Sequence, residues 1–89
     1  MGTIWNVVQV LFVNDKTEYP YVTADVVASC NTLRLAEQYL EDRIAYFTEG
    51  GYNGRYEYLG HTYNAHQLLD PLNGAILQLS VEPSQYTES

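Results

Sequence analysis

The sequence predicts an α+β fold: a four-stranded, mainly antiparallel sheet with one amphipathic helix on one face, in the order β-β-α-β-β. Three observations lead there. Residues 31–47, NTLRLAEQYLEDRIAYF, repeat apolar side chains at spacings of three and four, the period of a helix face. Residues 4–13, IWNVVQVLFV, are β-branched and aromatic, as strands are. The chain has 89 residues, room for a single domain with a small core.

In chain order, residues 4–13 come first. Ile4, Val8, Val10 and Phe12 share one face, and Trp5, Val7, Leu11 and Val13 the other; only Asn6 and Gln9 interrupt. Two apolar faces suit a central strand or a bulged one. Trp5, near the strand end, is a candidate contact residue or a core-edge ring. Residues 14–17, NDKT, are turn chemistry. Residues 19–28 read as a second strand, with Val22, Ala24, Val26 and Ala28 inward and Tyr21, Thr23, Asp25 and Val27 outward. Pro20 cannot donate to a ladder, so that strand starts after it or lies at an edge.

The helix follows. Asn31 is its expected N-cap. Leu33, Ala36, Leu40, Ile44 and Phe47 form the apolar stripe, widened by Leu35, Tyr39 and Tyr46. Gly50 and Gly51 end it. Residues 55–63, RYEYLGHTY, read as one strand or a short hairpin, with Gly60 at a bulge or bend. Residues 64–69 are expected to form one helical turn, and 70–74 (DPLNG) a turn. A last strand covers 75–81, with Ala75, Leu77, Leu79 and Val81 inward. Residues 82–89 read as a polar, flexible tail of a domain covering 1–89. One helix covers only one sheet face, so Tyr21, Val27 and the tyrosines at 56, 58 and 63 are expected on the open one.

Eleven acidic and four basic residues give a net charge of −7. Such a chain cannot neutralise phosphates, so direct binding to nucleic acid or an anionic membrane is excluded, and a basic protein surface is the natural complement. Cys30 is the single cysteine; with no partner it forms no intrachain disulfide, which fits a reducing cytoplasm. No apolar run approaches the length of a membrane span, and no signal-peptide pattern opens the chain.

Nine tyrosines against two phenylalanines suit half-wet contact surfaces, because tyrosine buries a ring and keeps a hydroxyl in water. The candidate binding residues are Tyr52, Tyr56, Glu57, Tyr58 and Tyr63, with Glu37 and Glu41 secondary. His61, His66 and Asp70 match no strong metal or acid–base spacing. No HExxH, GxSxG or phosphate loop occurs. Neither cofactor nor metal is expected.

The layout of an apolar strand, a capped helix bearing LAEQYLED and tyrosine-rich strands in a short acidic chain resembles small phage-encoded inhibitor proteins of the anti-CRISPR and anti-restriction type. The resemblance is one of overall layout along the whole chain. It implies a non-enzymatic protein that binds and inhibits or modulates a host or cellular protein, including nucleic-acid-binding ones. Charged residues make up 17% of the chain, sparse for mimicry of a phosphate backbone, so an aromatic and acidic contact surface is favoured. Two alternatives stand beside it: a self-associating subunit such as a homodimer, and a small enzyme or metal-binding protein using His61 and His66.

Overall fold

The computed structural model describes residues 2–13, 21–49, 56–62, 65–72 and 74–86. Its elements are β1 (Gly2–Val13), β2 (Tyr21–Cys30), α1 (Leu33–Thr48), β3 (Glu57–Thr62), β4 (Ala65–Leu69) and β5 (Ile76–Tyr86). The strands form one antiparallel five-stranded sheet in the order β2-β1-β5-β4-β3. After α1 the chain restarts at the far edge and returns strand by strand, until β5 pairs with β1. The predicted α+β layout and antiparallel pairing hold; the sheet has five strands, not four.

The additional strand is β4, where one helical turn was expected. Ala65 and Leu68 are buried while His66, Gln67 and Leu69 are half-buried, and both neighbours satisfy the β4 backbone. Five residues are too few for periodicity to separate helix from strand; the ladders on either side decide it. Residues 57–62 are one strand, and its hairpin partner is β4. Gly60, at φ +143°, lies where the β3–β4 register slips, as expected of a glycine-bearing bulge. β5 runs to Tyr86 rather than stopping at Val81, because β1 offers partners as far as Gly2.

β1 is an interior strand with both edges paired, which accounts for its two apolar faces. Val7 is fully buried, and Trp5 and Leu11 pack on the core from the same face. The core joins Val7, Leu68, Leu77 and Leu79 of the sheet to Ala36, Leu40 and Phe47 of the helix, with Tyr56 beside them. Leu35 and Tyr46 are exposed, each about 100° around the helix from a buried neighbour. Leu33, in the first turn, is exposed too.

The helix starts one residue later than expected. Thr32, not Asn31, is the N-cap, and its Oγ1 accepts from the Leu35 amide at 3.2 Å. Glu49 caps the other end; Gly50 and Gly51 lie outside the described residues, as do the expected 14–17 turn and Pro20. At the 70–74 turn, the Leu72 amide donates to Asp70 Oδ1 at 2.9 Å. Gly74, at φ +77°, donates its amide to Asp70 O at 2.8 Å.

The assignment of faces in β2 is inverted from Val22 to Val27, while Ala28 faces the core as expected. Val8 pairs with Val26, but Val7 pairs with Ala28, so Val27 is an extra residue in a bulge. The bulge shifts the alternation by one. Val27, Ala28 and Cys30 therefore pack on the helix-side core, while Val22, Ala24 and Val26 face away from it and are exposed. Among the described side chains this face carries Phe12 and aliphatic residues, and neither Tyr56 nor Tyr58 lies on it; the Tyr21 side chain and Tyr63 lie outside what is described.

A cleft between the helix and the β3–β4 hairpin

Glu41, Ile44, Ala45 and Thr48 lie on one stripe of α1, at positions i, i+3, i+4 and i+7. Together with Glu49 they form one wall of a cleft of about 430 Å³. Tyr58 of β3 and His66 of β4 form the other. The hairpin register turns both side chains towards the helix: Tyr58 pairs with Leu68, and His66 with Leu79. Thr48 ties its hydroxyl to Ile44 O at 2.8 Å.

The aromatic wall is held in place. Tyr58 Oη and His66 Nδ1 are 2.9 Å apart. His61 stacks on His66 with centroids 4.4 Å apart and planes at 11°. That stacking turns ring faces, not in-plane nitrogen lone pairs, towards each other, so the two imidazoles do not converge on a metal. Among the described residues no three His, Cys, Asp or Glu side chains gather as a metal site. Burial holds the His66 pKa below its ordinary 6.5; the nearby His61 adds to this, and Glu41 opposes it. His66 therefore favours its neutral form in the folded chain.

The predicted binding residues separate into groups. Tyr58 and Glu41 meet at this cleft. Glu37 is exposed one helical turn before Glu41, extending the acidic line along α1. Tyr56 does not line this cleft: it is 9% exposed, with its ring 5.2 Å from Phe47 and its amide donating to Phe47 O at 3.0 Å. Glu57 pairs with Leu69, which places it on the opposite sheet face from Tyr58. Tyr52 and Tyr63 lie outside the described residues. Trp5 is half-buried against the core.

Sequence reasoning did not join Ile44, Ala45, Thr48, Glu49 and His66 to this site. The helical repeat running from Glu41 to Thr48 was a legible signal for the wall. The pairing of β3 with β4, which supplies the facing side, was not legible.

A second cleft of about 420 Å³ lies between Gln9, Leu11, Arg43, Tyr46, Phe47, Tyr56 and Leu77. Its cation is engaged internally: Arg43 Nε donates to Gln9 Oε1 at 2.9 Å, and the guanidinium sits 5.3 Å from the centre of the Phe47 ring.

No family model matches the chain, and neither a curated protein nor a solved structure matches it. No helix among the described residues is long and apolar enough to cross a membrane.

Proposed function

We propose that this chain is a small non-enzymatic binding protein that docks a basic segment of a protein partner in the α1–hairpin cleft, and so inhibits or modulates that partner. The observation that supports this most directly is the meeting of Glu41 and Glu49 with the exposed ring of Tyr58 around one concave surface. Two carboxylates beside an aromatic face suit a lysine or arginine side chain, which gains ion pairing and a cation–π contact together. The cleft is of the size that takes a few side chains. Glu37 extends the acidic line for a longer basic segment, and the net charge of −7 favours its approach.

The test is affinity capture from cell lysate with three baits: wild type, Tyr58→Ser, and Glu41→Gln with Glu49→Gln. The reading requires a basic protein held by the wild type at low salt, released at high salt and lost by both variants. Capture that survives in the folded variants removes the cleft as the site.

A further inference from the structure

Arg43 is one of four basic residues in a chain with eleven acidic ones, yet no described carboxylate pairs with it. Among the described residues its side chain has two partners, Gln9 and the Phe47 ring. The helix period accounts for this: one turn to either side stand Tyr39, Leu40, Tyr46 and Phe47, none of them acidic. A guanidinium carries five N–H donors in a planar fork. Gln9 takes the one on Nε at 2.9 Å, and Phe47 engages the face of the group rather than its donor edge. The two Nη groups at the end of the fork have no acceptor among the described residues.

Arg43 and Gln9 both line the cleft of about 420 Å³. Because Gln9 turns Oε1 to Arg43, its Nε2 points away from the guanidinium as a further donor. The other walls are apolar. Leu11 and Leu77 pair across β1 and β5, and the rings of Phe47 and Tyr56 meet edge to face with centroids 5.2 Å apart. We infer that this cleft binds a small aromatic carboxylate. The Nη groups of Arg43 hold its two oxygens, Gln9 fixes the guanidinium and adds a donor, and the flat apolar body lies against Leu11, Leu77, Phe47 and Tyr56.

Size and charge select this class of ligand. A cleft of this volume takes a small molecule, and mostly apolar walls with a few polar anchors are what such sites present. The planar fork of an arginine matches the two oxygens of a carboxylate. Asp25 stands cross-strand from Gln9, with about 5 Å between such β-carbons, and the chain carries −7. One negative charge is therefore balanced by Arg43, whereas a phosphate dianion or a strongly acidic chain is repelled. The site is separate from the cleft at Glu41 and Tyr58, with which it shares no described lining residue.

This inference does not depend on the basic partner. An NMR titration of the isotope-labelled chain with benzoate, phenylacetate and indole-3-acetate tests it, each acid taken to about 20 mM because ligands of so few atoms bind weakly. At least one acid is expected to give saturable shifts centred on Gln9, Leu11, Arg43, Phe47 and Leu77. The matching neutral carboxamide should bind the same wild-type chain roughly tenfold or more weakly, having lost the charge-assisted bonds. Gln9→Glu gives Arg43 a carboxylate of its own; it should weaken the acid by a similar factor and leave the carboxamide unchanged. The inference is overturned if none of the three acids gives saturable shifts, or if the shifts centre outside this cleft. It is also overturned if the carboxamide binds as tightly as the acid, a comparison that needs no variant to fold, or if the acid binds folded Gln9→Glu undiminished. A glutamate-rich peptide that shifts these amides where the acids do not would reassign the cleft to an acidic protein segment.

Discussion

Replacing Leu68 by alanine tests the strand that the sequence pattern conceals. Leu68 is fully buried on β4, in register with Leu77 on one side and Tyr58 on the other. Paired backbone on both sides leaves the site little freedom to collapse, so the loss should be about 3 kcal/mol, within the usual range for buried leucine truncations. Leu69 is adjacent in sequence but half-buried on the opposite face; Leu69→Ala should cost about 1 kcal/mol. A chain of this size is stable by something on the order of 4 to 13 kcal/mol. The first loss is therefore a large share of the total. Urea unfolding followed by circular dichroism at one fixed protein concentration reads both. With a slope of roughly 1 kcal/mol per molar, the midpoint should fall by about 3 M for Leu68→Ala and about 1 M for Leu69→Ala. Equal losses, or a larger one at Leu69, would mean that residues 65–69 do not alternate as a strand, and β4 would be wrong.

Other outcomes follow from the same contacts. Thr32→Ala should cost about 1 kcal/mol by removing the N-cap, while Asn31→Ala should stay within about 0.5 kcal/mol; reversed effects in thermal unfolding would return the cap to Asn31. His66 has its pKa lowered on folding, so the unfolded chain binds more protons just below 6.5. Its contribution to stability is complete above that value and is lost as pH falls through the lowered one. The urea midpoint should therefore drop between about pH 7.5 and about pH 5.5, and drop less in His66→Gln; an equal drop would place the cause elsewhere. Tyr58→Phe removes the hydroxyl 2.9 Å from His66 Nδ1. Where that hydroxyl donates to the neutral ring, its loss should raise the His66 pKa in an NMR titration, and a lower value would contradict the arrangement.

The helix and the central strand were legible because each pattern had a single physical reading. Ala36, Leu40 and Phe47 repeat at helical spacing and are buried together. The two apolar faces of β1 answer to its interior position. What was hidden depended on pairing. One added residue at Val27 exchanges the inner and outer faces from Val22 to Val27, leaving Ala28 inward, and no composition signal announces it. Residues 65–69 are too short for periodicity and become a strand through β3 and β5. The tyrosines carried the least information of all. Tyr56 and Tyr58 are two apart, yet one packs against Phe47 and the other stands at the cleft mouth, 48% exposed. Tyrosine suits both sites equally, so residue type alone could not separate core ring from contact ring. The acidic residues of the helix gave the better signal, since Glu41 reaches the cleft through the helix period alone.

The measurement that bears most directly on the proposed role is an NMR titration of the isotope-labelled chain with a short arginine- and lysine-containing peptide. Amide shifts should concentrate at Glu41, Ala45, Glu49, Tyr58 and His66, shrink with added salt, and vanish in the chain carrying Glu41→Gln and Glu49→Gln. Shifts that spread over the acidic surface without centring on the cleft, or that persist in that variant, would contradict it.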